Sequence, residues 1–362
     1  MKIIISILLT AITISLHAQN QAQSNSTYTI VVRDSVTGDL AIAVQSRLLA
    51  VGAIVPYAIS NIGAIATQGS ANTSYGARGM EMLASGLGAK EVVEALIKSD
   101  SKADQRQVGI IDSRGNAFAF SGYSCPAWSG HLTGRGYVVL GTQLTSEVVL
   151  KAMARTFEVT SGDIYERMIA ALIAAENAEG DKRGRQSAAL LVVRDRGGYG
   201  GYNDRYIDLR VDDNPMPLVE LKRLIKLWEA SYLTEARMRT VDTFDKQRNV
   251  SASQTEMNRT VEDLYAELRK KPDDPDVLKR VAWLLATQEL DRVRALEYAK
   301  RASKLAPGRS DILATLAECH YRLGNFDQAI GIMAELAVKE PSNDEYWNQL
   351  QRYKEGKQKS GR

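Results

Sequence analysis

The order of apolar runs in this 362-residue sequence predicts an α+β fold, a four-layer αββα sandwich followed by a small all-α domain. Three observations predict it. Paired β-rich runs joined by short turns recur at 27–44, 106–121 and 188–211. Two pairs of helical segments, 75–85 with 89–99 and 146–157 with 163–177, alternate with those hairpins. Two sheets stacked face to face with a helix pair outside each would bury every apolar face in that order. Beyond residue 260 the strand signals stop and a self-similar helical pattern takes over.

The first hairpin opens at Thr27. Residues 27–32 form a β-rich run, Thr37 and Gly38 lie in the turn, and 40–44 return. Ile30, Val31 and Val32 are consecutive apolar residues, as strands covered on both faces require. Residues 61–68 read as a third strand, and the helices 75–85 and 89–99 are separated by Gly86 and Gly88. A second hairpin, 106–111 with 116–121, turns through Asp112, Ser113, Arg114 and Gly115. A loop holding Cys125, Pro126, Trp128 and Gly130 leads to a strand at 137–140. Ser146 and Asp163 stand where N-caps of the next two helices belong. The last hairpin, 188–194 with 206–211, is followed by a helix at 217–233 with Leu218, Leu221, Leu224, Ile225 and Trp228 on one side. Residues 236–259 lose periodicity and read as a linker or a poorly packed helix.

Composition narrows the function classes. The chain is 44% hydrophobic and 25% charged, and its 46 basic and 43 acidic residues leave a net charge of +3. No block of like charge is long enough for a nucleic-acid surface, so no nucleic-acid partner is expected. Lys2 and the apolar run 3–16 before Leu16-His17-Ala18 have the form of a signal peptide over 1–18, predicting export to the periplasm or the outside of the cell. No other stretch is apolar enough to span a bilayer. Cys125 and Cys319 are read as free thiols, and no metal-ligand spacing or cofactor motif is present. Homo-oligomerisation stays open.

Residues 260–355 carry the repeat. Ala295 and Ala329, and likewise Pro307 and Pro341, are 34 residues apart, the period of a tetratricopeptide repeat. Leu313, Leu316, Gly324, Phe326, Ala329 and Pro341 fall at that repeat's pattern positions, and Trp347 and Leu350 follow Leu313 and Leu316 by the same 34. Such a segment predicts a groove for a protein or peptide partner.

The front of the chain resembles the domain of unknown function 1028 family, placed among the N-terminal-nucleophile hydrolases. The resemblance rests on T-Y-T-I-V-V-R-D at 27–34, G-D-L-A-I-A-V-Q-S-R at 38–47, A-V-G-A-I-V-P at 50–56 and G-A-I-A-T-Q at 63–68. It continues through N-T-S-Y-G-A-R-G at 72–79, R-Q-V-G-I-I-D at 106–112 and C-P-A-W-S-G-H at 125–131. It implies an Ntn-hydrolase-like domain over 27–235 that hydrolyses a C–N bond in a small amide or peptide. Thr27 would then be the nucleophile and its freed α-amine the base, with Gln68 and Asn72 as oxyanion donors. Arg47, Tyr75, Arg78, Arg106 and His131 become candidates for binding an anionic substrate group. Two departures bear on the mechanism. Gln19 to Ser26 separate the expected signal cut from Thr27, and no lysine lies between Lys2 and Lys90, which disfavours lysine assistance. Cys125 with His131 could suggest a thiol nucleophile, but a cysteine between small residues, Pro and Trp reads better as a packed hydrophobe. The competing reading is a non-catalytic scaffold that works through its repeats.

Overall fold

The computed structural model describes residues 27–180 and 184–360. The signal peptide expected at 1–18 lies outside the described residues. The chain divides into two compact units, Met1–Thr243 and Phe244–Arg362.

In the first unit β1 (Thr27–Arg33) and β2 (Leu40–Ser46) form the expected hairpin. Its turn closes because the Asp34 carboxylate accepts the N–H groups of Val36 and Thr37 at 2.8 and 2.9 Å, while Gly38 takes φ +79°. The buried Asp39 carboxylate then receives Arg194 Nε at 2.7 Å, and the guanidinium lies 4.0 Å from the Tyr206 ring centroid. That pair ties the hairpin to the end of a neighbouring strand.

β7 (Gly130–Gly134), β8 (Tyr137–Thr142), β9 (Ser187–Val193) and β10 (Arg205–Val211) complete a six-stranded sheet in the order β10-β9-β2-β1-β8-β7. A four-stranded sheet is built from β3 (Pro56–Ile59), β4 (Gly63–Gly69), β5 (Arg106–Asp112) and β6 (Ala117–Ser121), in chain order. All these pairings are antiparallel. Strand alternation sorts the apolar side chains. Val31, Ile42, Val44, Ala66, Ile111 and Leu140 meet between the sheets. Tyr28, Ile30, Val139 and Leu190 pack instead with α3 (Val148–Val159) and α4 (Ile164–Asn177). Ile65, Val108 and Ile110 face α1 (Ser74–Ala84) and α2 (Ala89–Lys98). Four layers result, as predicted.

The details differ from the sequence reading in three places. β3 and β7 were not expected, being short and containing Pro or Gly. Ser146 does not cap α3, which begins at Val148, whereas Asp163 does head α4 and donates its N–H to Glu166 Oε2 at 3.1 Å. The helix expected at 217–233 is α5 (Pro217–Trp228) followed by a π-helical turn at Glu229–Leu233. Of the two readings of 236–259, a linker or a poorly packed helix, the structure takes the helical one, within α6 (Thr234–Lys246) and α7 (Val250–Lys270). Its apolar period was hidden because Arg237, Thr240, Ser253, Glu256 and Thr260 are buried yet polar. Thr240 and Thr260 satisfy their hydroxyls on the carbonyls of Ala236 and Glu256, and Arg237 pairs with Asp163.

The second unit continues with α8 (Pro275–Thr287), α9 (Arg292–Leu305), α10 (Ser310–Arg322), α11 (Phe326–Lys339) and α12 (Asp344–Ser360). The alanines that set the 34-residue period, Ala295 and Ala329, are completely buried, because only a small side chain fits where paired helices approach closely. Cys125 and Cys319 are both free. No helix among the described residues is long and apolar enough to cross a membrane.

Candidate functional site

The layer between the sheets is apolar except at one end. There the strand registers set two polar rows facing one another. In the six-stranded sheet Ser46, Thr27 and Thr142 are direct cross-strand partners, and Ser187 extends the row beyond Ser46. In the four-stranded sheet Gln68, Gln107 and Ser121 are partners in the same way.

The rows are joined by short hydrogen bonds. Thr27 Oγ1 lies 3.0 Å from Ser46 Oγ. Gln68 Nε2 reaches the Thr27 carbonyl at 3.2 Å and Gln107 Oε1 at 2.7 Å, while Gln68 Oε1 accepts from Thr29 Oγ1 at 2.5 Å. Thr142 Oγ1 donates to Gln107 Oε1 at 2.6 Å. Gln107 Nε2 meets Ser121 Oγ and the carbonyls of Gly130 and Gly141 at 2.8 to 2.9 Å. Those backbone acceptors fix which end of each amide carries nitrogen. Thr27, Thr29, Gln68, Gln107 and Thr142 are each at most 2% exposed, so the array holds its members rigidly in a low-dielectric setting. Ser121 continues it to His131, whose Nδ1 lies 2.9 Å from the serine hydroxyl. Burial pushes the His131 imidazole pKa down, favouring the neutral ring.

Of the residues singled out from sequence, the structure brings Thr27 and Gln68 together and places His131 at the far end of their network. It gives Asn72 different company. The Asn72 amide nitrogen donates to Asp100 Oδ2 at 2.9 Å, and its oxygen accepts from the N–H and hydroxyl of Ser74. Tyr75 OH and Arg106 Nε converge on the same Asp100 oxygen at 3.0 and 3.1 Å. Arg106 follows its own strand's alternation and faces away from the row that Gln107 joins. Burial would raise the Asp100 pKa, but the hydrogen bonds from Asn72, the Lys102 N–H, Arg106 and Tyr75 outweigh it and hold the carboxyl well below the usual range. Burial and that carboxylate push the Tyr75 phenol up. Arg78 donates to Ser99 Oγ at 2.7 Å, and the exposed Arg47 donates to Gln186 at 2.8 Å. Tyr75, Arg78 and Arg106 thus gather around Ser99 and Asp100, while Arg47 pairs with Gln186 and His131 with Ser121.

Cys125 Sγ donates to the Arg106 carbonyl at 3.4 Å, and burial raises its pKa. Such a thiol is kept protonated rather than activated. Among the described residues no group of His, Cys, Asp or Glu could hold a metal ion. The residues missed from sequence are Thr29, Ser46, Gln107, Ser121, Thr142 and Asp100. The signal was present in the strands themselves. Each apolar alternation ends on a polar residue at the same end, as in V-Q-S at 44–46, A-T-Q at 66–68 and L-G-T at 140–142.

In the second unit a groove lies across α8, α10 and α12, lined by Trp283, Glu318, Arg322 and Arg352 among others. Glu318 is 1% exposed and receives Arg322 Nε at 2.8 Å, Tyr353 OH at 2.7 Å and Arg352 Nη2.

Comparison with known proteins places these features in context. The pattern of a family of unknown function, DUF1028, matches residues 27–221, and that of a tetratricopeptide repeat matches residues 286–352. A Silicibacter pomeroyi protein of the DUF1028 family, solved as a crystal structure, is 30% identical with a TM-score of 0.52. The likeness covers 56% of this chain and 89% of that one. No curated protein matches the chain.

Proposed function

This chain belongs to the DUF1028 family of unknown function, and from that premise we propose that its front domain is an exported amidohydrolase of the N-terminal-nucleophile type. The observation that carries the reading is Thr27 at the head of a buried strand, with its hydroxyl against Ser46 and its carbonyl held by Gln68. Scission of the Ser26–Thr27 bond would free the α-amine of Thr27. That amine then takes the hydroxyl proton as Oγ1 attacks the amide carbonyl, and returns it to the leaving amine as the C–N bond breaks. Water hydrolyses the resulting ester. Gln68 positions Thr27 through its carbonyl, both of its amide N–H groups being committed to Thr27 and Gln107, while Asn72 serves the Asp100 loop.

The neutral surroundings have a kinetic consequence. Hydroxyls and amides offer an ammonium no countercharge, so burial there favours the free amine over its protonated form. The test is a panel of small amides and dipeptides offered to protein that begins at Thr27. Amine release that survives Thr27→Ser, vanishes in Thr27→Ala and falls on an acidic limb below about pH 7.7 supports the reading. Equal turnover by Thr27→Ala removes it.

The repeats suggest protein interaction, and their groove favours a second, compatible reading in which the rear unit recruits a partner protein or peptide. Deleting the repeat unit should abolish partner capture and leave amide hydrolysis intact.

A further inference from the structure

A separate cleft of about 550 Å³ opens in the first unit where the free edges of the two sheets, β3 and β10, lie beside α1. β10 is separated from β1 by β9 and β2, which at ordinary strand spacing sets it about 14 Å from the Thr27 strand. We propose that this cleft binds a short zwitterionic peptide with apolar side chains, its carboxylate on Arg205 and Arg210 and its ammonium on Glu81.

Size and lining come first. The volume is that of an ordinary small-molecule site. Pro56, Ile59, Ile62 and Met80 give it an apolar floor. Its walls are fixed. Ser60 N–H donates to Asp204 Oδ2 at 2.8 Å, tying the end of β3 to the start of β10. Gly76 lets α1 come close enough to Tyr57 that a Cβ there would lie 2.3 Å from the ring.

Charge selects the ligand. Arg205 and Arg210 both bond Asp208, at 3.0 Å each, so two guanidinium groups share one carboxylate and retain donors for another. Glu81 lines the cleft from α1, and its carboxylate has no ion pair or hydrogen bond among the described residues. A simple fatty anion would meet that carboxylate unfavourably. A ligand bearing both charges around an apolar body satisfies both walls.

The probe is the dipeptide Leu-Phe, titrated into the full chain by NMR or calorimetry beside its N-acetylated and C-amidated forms. Saturable binding of Leu-Phe, with each blocked form about tenfold weaker, is expected. Arg210→Gln should remove the preference over the amide, and Glu81→Gln the preference over the acetylated form. Both residues are exposed, so these variants fold. Ala77→Trp, at another exposed position in the lining, should abolish binding by filling the cleft. No saturation with Leu-Phe, or saturable binding indifferent to both blocking groups, overturns the proposal.

Discussion

The two units bury polar chemistry in opposite ways. Between the sheets of the first, the network from Ser46 through Thr27, Gln68 and Gln107 to Ser121 consists of hydroxyls and amides. In the repeats, Glu318 carries a formal charge into the interior and is matched by Arg322 and Arg352 at the groove. The neutral network pays little desolvation penalty and does not titrate, so it can present a threonine in one geometry across a wide pH range. The charged one is held by its partners, and burial with the Glu318 carboxylate raises the Tyr353 phenol pKa. One arrangement suits fixed chemistry, the other a surface that meets a partner.

Substitutions can break this contrast. The largest loss is expected from Gln107→Leu, which leaves Gln68, Thr142 and two backbone carbonyls short of partners. About 4 kcal/mol should disappear from the urea-unfolding free energy of the first unit. Glu318→Gln keeps shape but weakens three charge-assisted bonds, and should cost about 2 kcal/mol, read by hydrogen exchange of the α10 amides.

Asp100 should give a smaller, pH-dependent effect. Asp100 has a folded-state pKa below its unfolded one, so its stabilisation is complete above about pH 4 and is lost as pH falls through the folded value. Asp100→Asn should therefore lower stability at neutral pH and flatten the acid side of the stability curve. An unchanged acid limb would show that the Asn72, Tyr75 and Arg106 bonds do not hold the ionised form.

Much of the architecture was legible because period and turn chemistry are local. The Thr37-Gly38 turn gave the hairpin, and the buried Ala295 and Ala329 marked the repeat. The site was only half legible. Thr27 and Gln68 stood out, but Thr142 and Gln107 become their neighbours through pairing across distant strands. Asn72 and Arg106 looked equally apt until Asp100 claimed both. The helical segment after Thr234 was hidden because its inward face is polar.

Intact mass of the protein made from residues 1–362 shows whether Thr27 becomes the first residue of the working chain. A mature chain beginning at Thr27 is expected, with the preceding residues retained in Thr27→Ala. A wild-type chain that begins stably at Gln19 would contradict it.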